Sequence, residues 1–302
     1  MPNPLHLIPE GVRVISDPET SRDDWLELRR LGIGGSDALA VAGMDPWKAP
    51  LGVYLEKTGI VDSTVVETPL MRWGNLLEPV LADWFQETTG IEVFRCGMLG
   101  HPTREWQLFS PDRLTADGGI LEIKTTGLRG GKAWADGRVA DRAAIQLQHG
   151  MSVTGLTHGY AVAGIWGEDP VYRMVQRDND LISDLVQIES EFWEQVISEA
   201  PPALGQHPAE ASLMQHLYPY GEDNTVDLTP GGYAALRQYV ALGAQIKALK
   251  GQQDAQKGAV TAELGTAEAG LWNGDIVITW RNAISQDADS ITVGSRRFTP
   301  RL

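Results

Sequence analysis

Two carboxylates and a lysine stand close together in the stretch Ser110 to Thr126, which reads Ser-Pro-Asp-Arg-Leu-Thr-Ala-Asp-Gly-Gly-Ile-Leu-Glu-Ile-Lys-Thr-Thr. They are Asp112, Glu122 and Lys124. Acidic oxygens of this kind suit a hard divalent cation, which takes one or two carboxylates and completes its shell with water and substrate phosphate oxygens. A lysine beside such a site can hold the attacking water and offset charge developing on phosphorus. The same residues also fit a plainer purpose, a surface ion pair of Glu122 with Lys124 on an exposed strand face.

The flanking residues say how these groups would be held. Two β-type runs bracket Asp117-Gly118-Gly119, which has the composition of a tight hairpin turn. Strand side chains alternate, so Glu122 and Lys124 share one face while Leu121, Ile123 and Thr125 share the other. The apolar set can enter a core. A closed hairpin then brings Asp112 across to the charged pair.

Upstream, Ser21 resembles an N-cap for a helix over 22–31, with Asp23 and Asp24 in its first turn and Arg29 and Arg30 in its last. The run Gly32-Ile33-Gly34-Gly35-Ser36-Asp37 reads as a flexible turn opening a short helix through Ala42. Its amides, the Ser36 hydroxyl and Arg29 could bind a phosphate; a plain helix–helix connector fits the same glycines. No Gly-Lys-Ser/Thr follows, so it is not a P-loop. A helix is expected over 50–58, a polar loop over 64–68, and the strongest helix over 71–89, closed by Gly90. Glu78 lies beside the apolar stripe of that helix, and Pro79 implies a start or a bend there.

Strands are expected over 91–99 and 105–109, before the hairpin. A mobile basic loop is expected over 127–139, then a helix over 141–153 carrying Gln146, Gln148 and His149. Strands over 158–165 and 171–175 precede a long helix over 178–199, stopped by Pro201-Pro202. Beyond that the composition shifts: 203–227 is loop-rich, 230–264 is an Ala/Gln-rich helix, 270–280 is β-like and the tail is polar. Two regions are predicted, a catalytic one over 1–202 and a C-terminal appendage over 203–302 for assembly or DNA contact.

The composition narrows the classes. With 302 residues, 42% hydrophobic and 22% charged, the chain has the make-up of a soluble globular protein. Cys96 is alone, which rules out a disulfide framework and a four-cysteine metal site. There is no signal-peptide pattern at the start and no apolar run long enough to span a membrane, so a cytoplasmic setting is expected. A net charge of −15 argues against a broad basic surface, though a narrow positive groove remains compatible with it.

The element order, helix with Glu78, strands, Asp112, strand with Glu122-x-Lys124, helix with Gln146, strand, resembles the PD-(D/E)XK nuclease superfamily. More specifically, the chain resembles the YqaJ-type viral recombinases, whose relative is phage lambda exonuclease. The likeness spans about residues 21–200 and rests on several pieces in sequence. They are Trp25-Leu26-Glu27-Leu28-Arg29-Arg30, Ile33-Gly34-Gly35-Ser36-Asp37 and Tyr54-Leu55-Glu56-Lys57-Thr58-Gly59, then Trp73-Gly74-Asn75-Leu76-Leu77-Glu78-Pro79, Ser110-Pro111-Asp112, Leu121-Glu122-Ile123-Lys124 and Gln146-Leu147-Gln148-His149. Each piece is weak by itself; together and in order they are specific, and the surface ion-pair reading recedes.

The resemblance implies a mixed α/β fold: a restriction-endonuclease-like core with helical N-terminal elements and a helix/β appendage. It implies Asp112 and Glu122 as metal ligands with the Ile123 carbonyl, and Lys124 on the nucleophilic water. Glu78 would act through a metal-bound water, and Gln146 would orient the nucleophile or the scissile phosphate. Arg29, Ser36 and Gly35 would take a terminal 5′-phosphate. The implied activity is a Mg2+-dependent exonuclease, with Mn2+ able to substitute, degrading linear double-stranded DNA from the 5′ end. It would leave 3′ single strands for phage-type homologous recombination in a bacterial host cell. The partners implied are DNA ends, a single-strand annealing protein and further copies of the chain, in a trimer by analogy. An endonuclease of the same superfamily is the rival enzyme; a non-catalytic DNA-binding or assembly protein on the same fold is the rival outside enzymes.

Overall fold

Ser21 starts the first helix as expected. Its side chain accepts a hydrogen bond from the Asp24 amide, and α1 (Arg22–Arg30) follows. The computed structural model describes residues 4–61, 68–205, 207–287 and 290–301. The loop expected over 64–68 lies outside the described residues except for Thr68. After α1 come α2 (Gly35–Val41) and α3 (Pro50–Lys57). The long helix α4 (Pro69–Thr89) is capped by the Thr68 hydroxyl and closed by Gly90 in the left-handed region, so Pro79 lies inside it and not at its start.

The strands in chain order are β1 (Arg13–Val14), β2 (Val93–Phe94), β3 (Leu99–Gly100), β4 (Leu108–Phe109), β5 (Arg113–Thr115), β6 (Ile120–Thr126), β7 (His158–Ile165) and β8 (Val171–Gln176). A small sheet has the order β1-β3-β4, and a five-stranded sheet has the order β2-β5-β6-β7-β8. Only β6 and β7 are parallel in the larger sheet. Parallel neighbours need a long crossover. Here it is α5 (Leu128–Gly131), a 3-10 turn over Lys132–Gly137 and α6 (Asp141–Thr154). The mobile loop expected over 127–139 is therefore largely helical, because Trp134 is buried in the main core and anchors it.

The period-two pattern of β6 sorts the two faces. Leu121 and Ile123 pack with Leu81, Ala82 and Phe85 of α4. Ile120 packs in the other cluster, with Leu147 and Met151 of α6. Glu122 and Lys124 share the parity of Ile120, so they belong to the α6 side. The helix α7 (Asn179–Ile197) crosses behind, where Leu185 joins Ala38, Leu39 and Ile145.

Under this side lies a buried polar link. His149 Nδ1 is 2.7 Å from Glu189 Oε1 and its Nε2 is 2.8 Å from the Leu108 carbonyl oxygen. Both ring nitrogens face acceptors, an arrangement that favours the doubly protonated ring. Burial pulls its pKa down, but the Glu189 carboxylate more than restores it and the net shift is upward. Gln107 Nε2 donates to the second Glu189 oxygen at 2.9 Å. The network ties α6 and α7 to β4, the strand that feeds Ser110 and Asp112.

The predicted boundary at residue 202 moves. The 203–227 segment contains α8 (Ala209–Leu217), whose Leu213, Met214 and Leu217 pack on the cluster holding Leu51 and Tyr54 of α3. The first unit consequently runs Met1–Gly221, and the second is Glu222–Leu302. In the second unit, α9 (Pro230–Leu264) forms as expected, capped by Thr229. The strands β9 (Ala269–Trp272), β10 (Asp275–Asp287) and β11 (Ser290–Pro300) make an antiparallel sheet of order β11-β10-β9. The tail noted only as polar is thus a long hairpin arm, since strand pairing satisfies backbone groups whatever the side chains are. Among the described residues no helix is long and apolar enough to cross a membrane.

Candidate active site

The β5–β6 hairpin closes at Asp117-Gly118-Gly119 with Arg113 opposite Leu121 and Leu114 opposite Ile120. Pairing stops there, and the Ile123 amide donates instead to Asp112 Oδ2 at 2.6 Å. This bond fixes the Asp112 carboxylate against the middle of β6. In an extended strand the N–H and C=O of one residue leave from the same edge. The Ile123 carbonyl therefore projects along the edge that Asp112 occupies.

Glu122 is only 2% exposed, and Lys124 holds its Oε1 in a short ion pair. The two residues do pair, but the pair is sunk in a cleft and is not on the surface. Burial drives the Asp112 carboxyl well above the usual carboxylate range, and the Glu122 charge drives it further, with Glu78 adding to the rise. Burial would lower the Lys124 pKa, but Glu122 and Asp112 outweigh it and the net shift is upward. The site thus stores more negative charge than one lysine relieves.

That imbalance bears on whether a divalent cation fits. Among the described residues no group of three or more His, Cys, Asp or Glu converges as a ready metal cage. A half-buried carboxylate, a buried one and a backbone carbonyl on the same edge are what remains, a donor set that suits Mg2+, which keeps several waters. Gln146 adds a further sign: its Oε1 is buried with no hydrogen-bond partner, on the wall of the same cleft. The residues fit the ion.

A cleft of about 200 Å3 brings Asp112, Glu122, Lys124 and Gln146 together with Arg29, Gly35 and Ser36. Glu78 is not on its wall. The Glu78 carboxylate is taken by Arg113 at 2.7 Å, because Arg113 follows Asp112 in β5 and reaches α4. Glu78 reaches Asp112 through its charge and not through a contact.

Arg29 Nη2 donates to Ser36 Oγ at 2.8 Å and to Asp37 Oδ1 at 2.6 Å. Arg30 pairs with exposed Glu27 at 3.4 Å and does not line the cleft, so the structure separates the two adjacent arginines. Gly35 sits in close quarters: a Cβ there would stand 3.3 Å from the Phe109 ring, a tight contact, and 3.6 Å from the Gln146 carbonyl oxygen, an ordinary one. The helix it opens has seven residues, so its dipole is small and an anion here would depend on Arg29 and Ser36.

Sequence reasoning gave no role to four residues that shape this cleft. Trp25 Nε1 donates to Ser110 Oγ at 3.1 Å, and both line the cleft. Asp37 and Lys57 are bonded to each other at 2.7 Å directly behind Arg29. The one local sign of Asp37 was its place at the third position of α2, where its Oδ2 accepts from the Gly34 amide at 3.3 Å.

Comparison with known proteins gives three kinds of likeness. Residues 24–157 match the family model of the YqaJ-like viral recombinase domain. The chain is 32% identical over 278 residues to the uncharacterized protein YqaJ of Bacillus subtilis (strain 168), covering 90% of this chain and 87% of that protein. A shorter stretch of 84 residues is 33% identical to protein D345L of African swine fever virus (strain Badajoz 1971 Vero-adapted), covering 26% and 24%. Among solved structures, an alkaline exonuclease (LHK-Exo) from Laribacter hongkongensis superposes with a TM-score of 0.53 at 23% identity, covering 59% of this chain and 94% of that one. Its complex with dAMP gives 0.52 at 21%. These structures share the mixed α/β fold of this chain.

Proposed function

We propose, because this chain belongs to the YqaJ-like viral recombinase family, that it is a metal-dependent deoxyribonuclease degrading linear double-stranded DNA from the 5′ end. The observation that carries the reading is the convergence, in one cleft, of Asp112, Glu122 and Lys124 with Arg29 and Ser36. The fold shared with a protein named an alkaline exonuclease supports it.

Asp112, Glu122 and the Ile123 carbonyl would hold Mg2+, or Mn2+ in its place. Such an ion supplies an activated water and neutralises charge on the attacked phosphodiester. Lys124, kept protonated by its two carboxylate neighbours, holds the attacking water and faces the charge that grows on the phosphate oxygens. Gln146 Oε1, buried and without a partner, accepts a hydrogen bond from that water and aims it. Arg29 and Ser36 hold the terminal phosphate and set the distance to the next phosphodiester. Glu78 acts from the next layer, where its charge raises the affinity of Asp112 for a cation. The 3′ single strands left behind would suit a single-strand annealing protein in recombination.

Linear duplex labelled at both ends, incubated with Mg2+, tests the proposal. The 5′ label should leave first as mononucleotide while covalently closed circular DNA of the same sequence stays intact. Nicking of the circle at a comparable rate would favour the endonuclease instead.

Assembly is proposed through the second unit. Leu242, Ile246 and Leu249 recur along α9 at three- and four-residue spacing and are all exposed. Burying one such side chain is worth about 1.5–3 kcal/mol, so a face of this kind gains by meeting a second copy. The double variant Leu242→Glu, Ile246→Glu should reduce the mass seen by light scattering to that of the single chain. A wild-type protein that is already monomeric, or a variant of unchanged mass, would reject this.

A further inference from the structure

Behind the cleft sits a charge cluster that touches neither the carboxylates nor the water site. Asp37 is fully buried. It takes Arg29 at 2.6 Å and Lys57 at 2.7 Å on its two oxygens, with Lys48 at 3.4 Å. Lys48 is shared with Glu56 at 2.7 Å. The Lys57 side chain is 2% exposed, so it cannot reach a ligand, and its Nζ also donates to the Arg29 carbonyl oxygen at 2.8 Å.

Arg29 spends only one nitrogen on this cluster. Its Nη2 serves both Asp37 and Ser36, and its guanidinium lies 5.5 Å from the centre of the Trp25 ring. Among the described residues Nε and Nη1 have no hydrogen-bond partner, and Arg29 lines the cleft. One corner of the fork is therefore pinned, and Arg29 keeps further donors for a ligand in the cleft it lines. Charge matters as much as geometry. If Asp37 had Arg29 as its only counter-ion, the pair would be neutral, and an incoming phosphate would meet a carboxylate at short range with little dielectric between them. Lys57 occupies the second Asp37 oxygen and Lys48 adds a weaker contact. The Arg29 charge is then left over for an anion.

We infer that Asp37 and Lys57 are positioning residues that aim Arg29 and keep its charge available, so that this buried pair sets the preference of the cleft for phosphorylated 5′ ends. The inference rests on the cleft reading proposed above. A purely structural role would be served as well by apolar residues of similar volume, since buried ion pairs contribute little net stability. It would also leave end preference untouched.

The test is equilibrium binding of a fluorescent duplex to the full chain in EDTA, comparing a 5′-phosphate with a 5′-hydroxyl, so that no cleavage intervenes. The wild type should bind the phosphorylated end about tenfold or more tighter, as paired charge-assisted hydrogen bonds to phosphate require. Lys57→Met and Asp37→Asn should bring the ratio close to one. Lys48→Met, at a partly exposed site, should lower it by about two- to threefold, in keeping with the longer contact. If the two buried variants do not fold, Lys48→Met decides. A wild type that binds both ends equally overturns the cleft reading and this inference with it. A wild type that discriminates, with the ratio retained in the folded variants, overturns the inference alone.

Discussion

Asp112→Asn should cut DNA cleavage by about a thousandfold or more while leaving the metal-free protein at least as heat-stable as the wild type. The first half follows from losing one of two carboxylates in a site where the cation supplies the nucleophile and the charge neutralisation. The second follows from the local charges. Asp112 is half-buried beside Glu122, and Glu78 adds a third negative charge from behind, so an ionised Asp112 is costly without a cation. Asparagine keeps an oxygen for the Ile123 amide bond and sheds the charge. Adding Mg2+ should raise the wild-type melting temperature, by an amount equivalent to about 2.7 kcal/mol at a hundred times the dissociation constant. In Asp112→Asn that rise should vanish. Lys124→Ala separates chemistry from binding: activity should fall while the Mg2+-induced stabilisation stays, with heat of binding still seen by calorimetry. Wild-type cleavage by Asp112→Asn, or an undiminished Mg2+ shift in it, would remove the assignment.

How much of this was legible follows from the range of each signal. The β6 strand was readable because Leu121, Ile123 and Thr125 alternate with Glu122 and Lys124, and the Asp117-Gly118-Gly119 turn sets the partner strand. Both features lie within one short stretch, and so Asp112 could be placed beside Glu122 without a structure. Glu78 was a harder case. Its helix was right, but its side chain is captured by Arg113, a pairing between α4 and β5 with no mark in either segment. Asp37 and Lys57 were invisible for the same reason: they end up bonded because α2 and α3 cross, and no short-range pattern says so. The α8 helix escaped notice among prolines and glycines, although Leu213, Met214 and Leu217 carry its spacing. The hairpin arm of β11 was hidden by polarity, since a strand not required to cover a core needs no apolar alternation. Long-range charge pairing is what single-sequence reading loses most.

Arg29→Ala should erase most of the advantage that a 5′-phosphate confers on degradation, and Arg30→Ala should not. On wild-type protein, linear DNA with a 5′-phosphate should be degraded faster than the same DNA with a 5′-hydroxyl by about a hundredfold, within the range positioning alone can supply. The geometry separates the two arginines. Arg29 stands on the cleft wall with its guanidinium held by Ser36 and Asp37, whereas Arg30 turns to exposed Glu27. Removing Arg29 deletes the guanidinium fork on the cleft wall and leaves the buried Asp37 balanced by its lysines, so the wall loses its attraction for phosphate. Asp112, Glu122 and Lys124 do not contact Arg29, so Mg2+ binding by calorimetry should be close to that of the wild type. The residual rate of Arg29→Ala should then be the same on both kinds of end, and it reports the chemistry of the metal site without help from positioning. If the variant keeps its preference, the terminal phosphate is held elsewhere; if Arg30→Ala loses it, the phosphate sits on the far side of α1, outside the cleft.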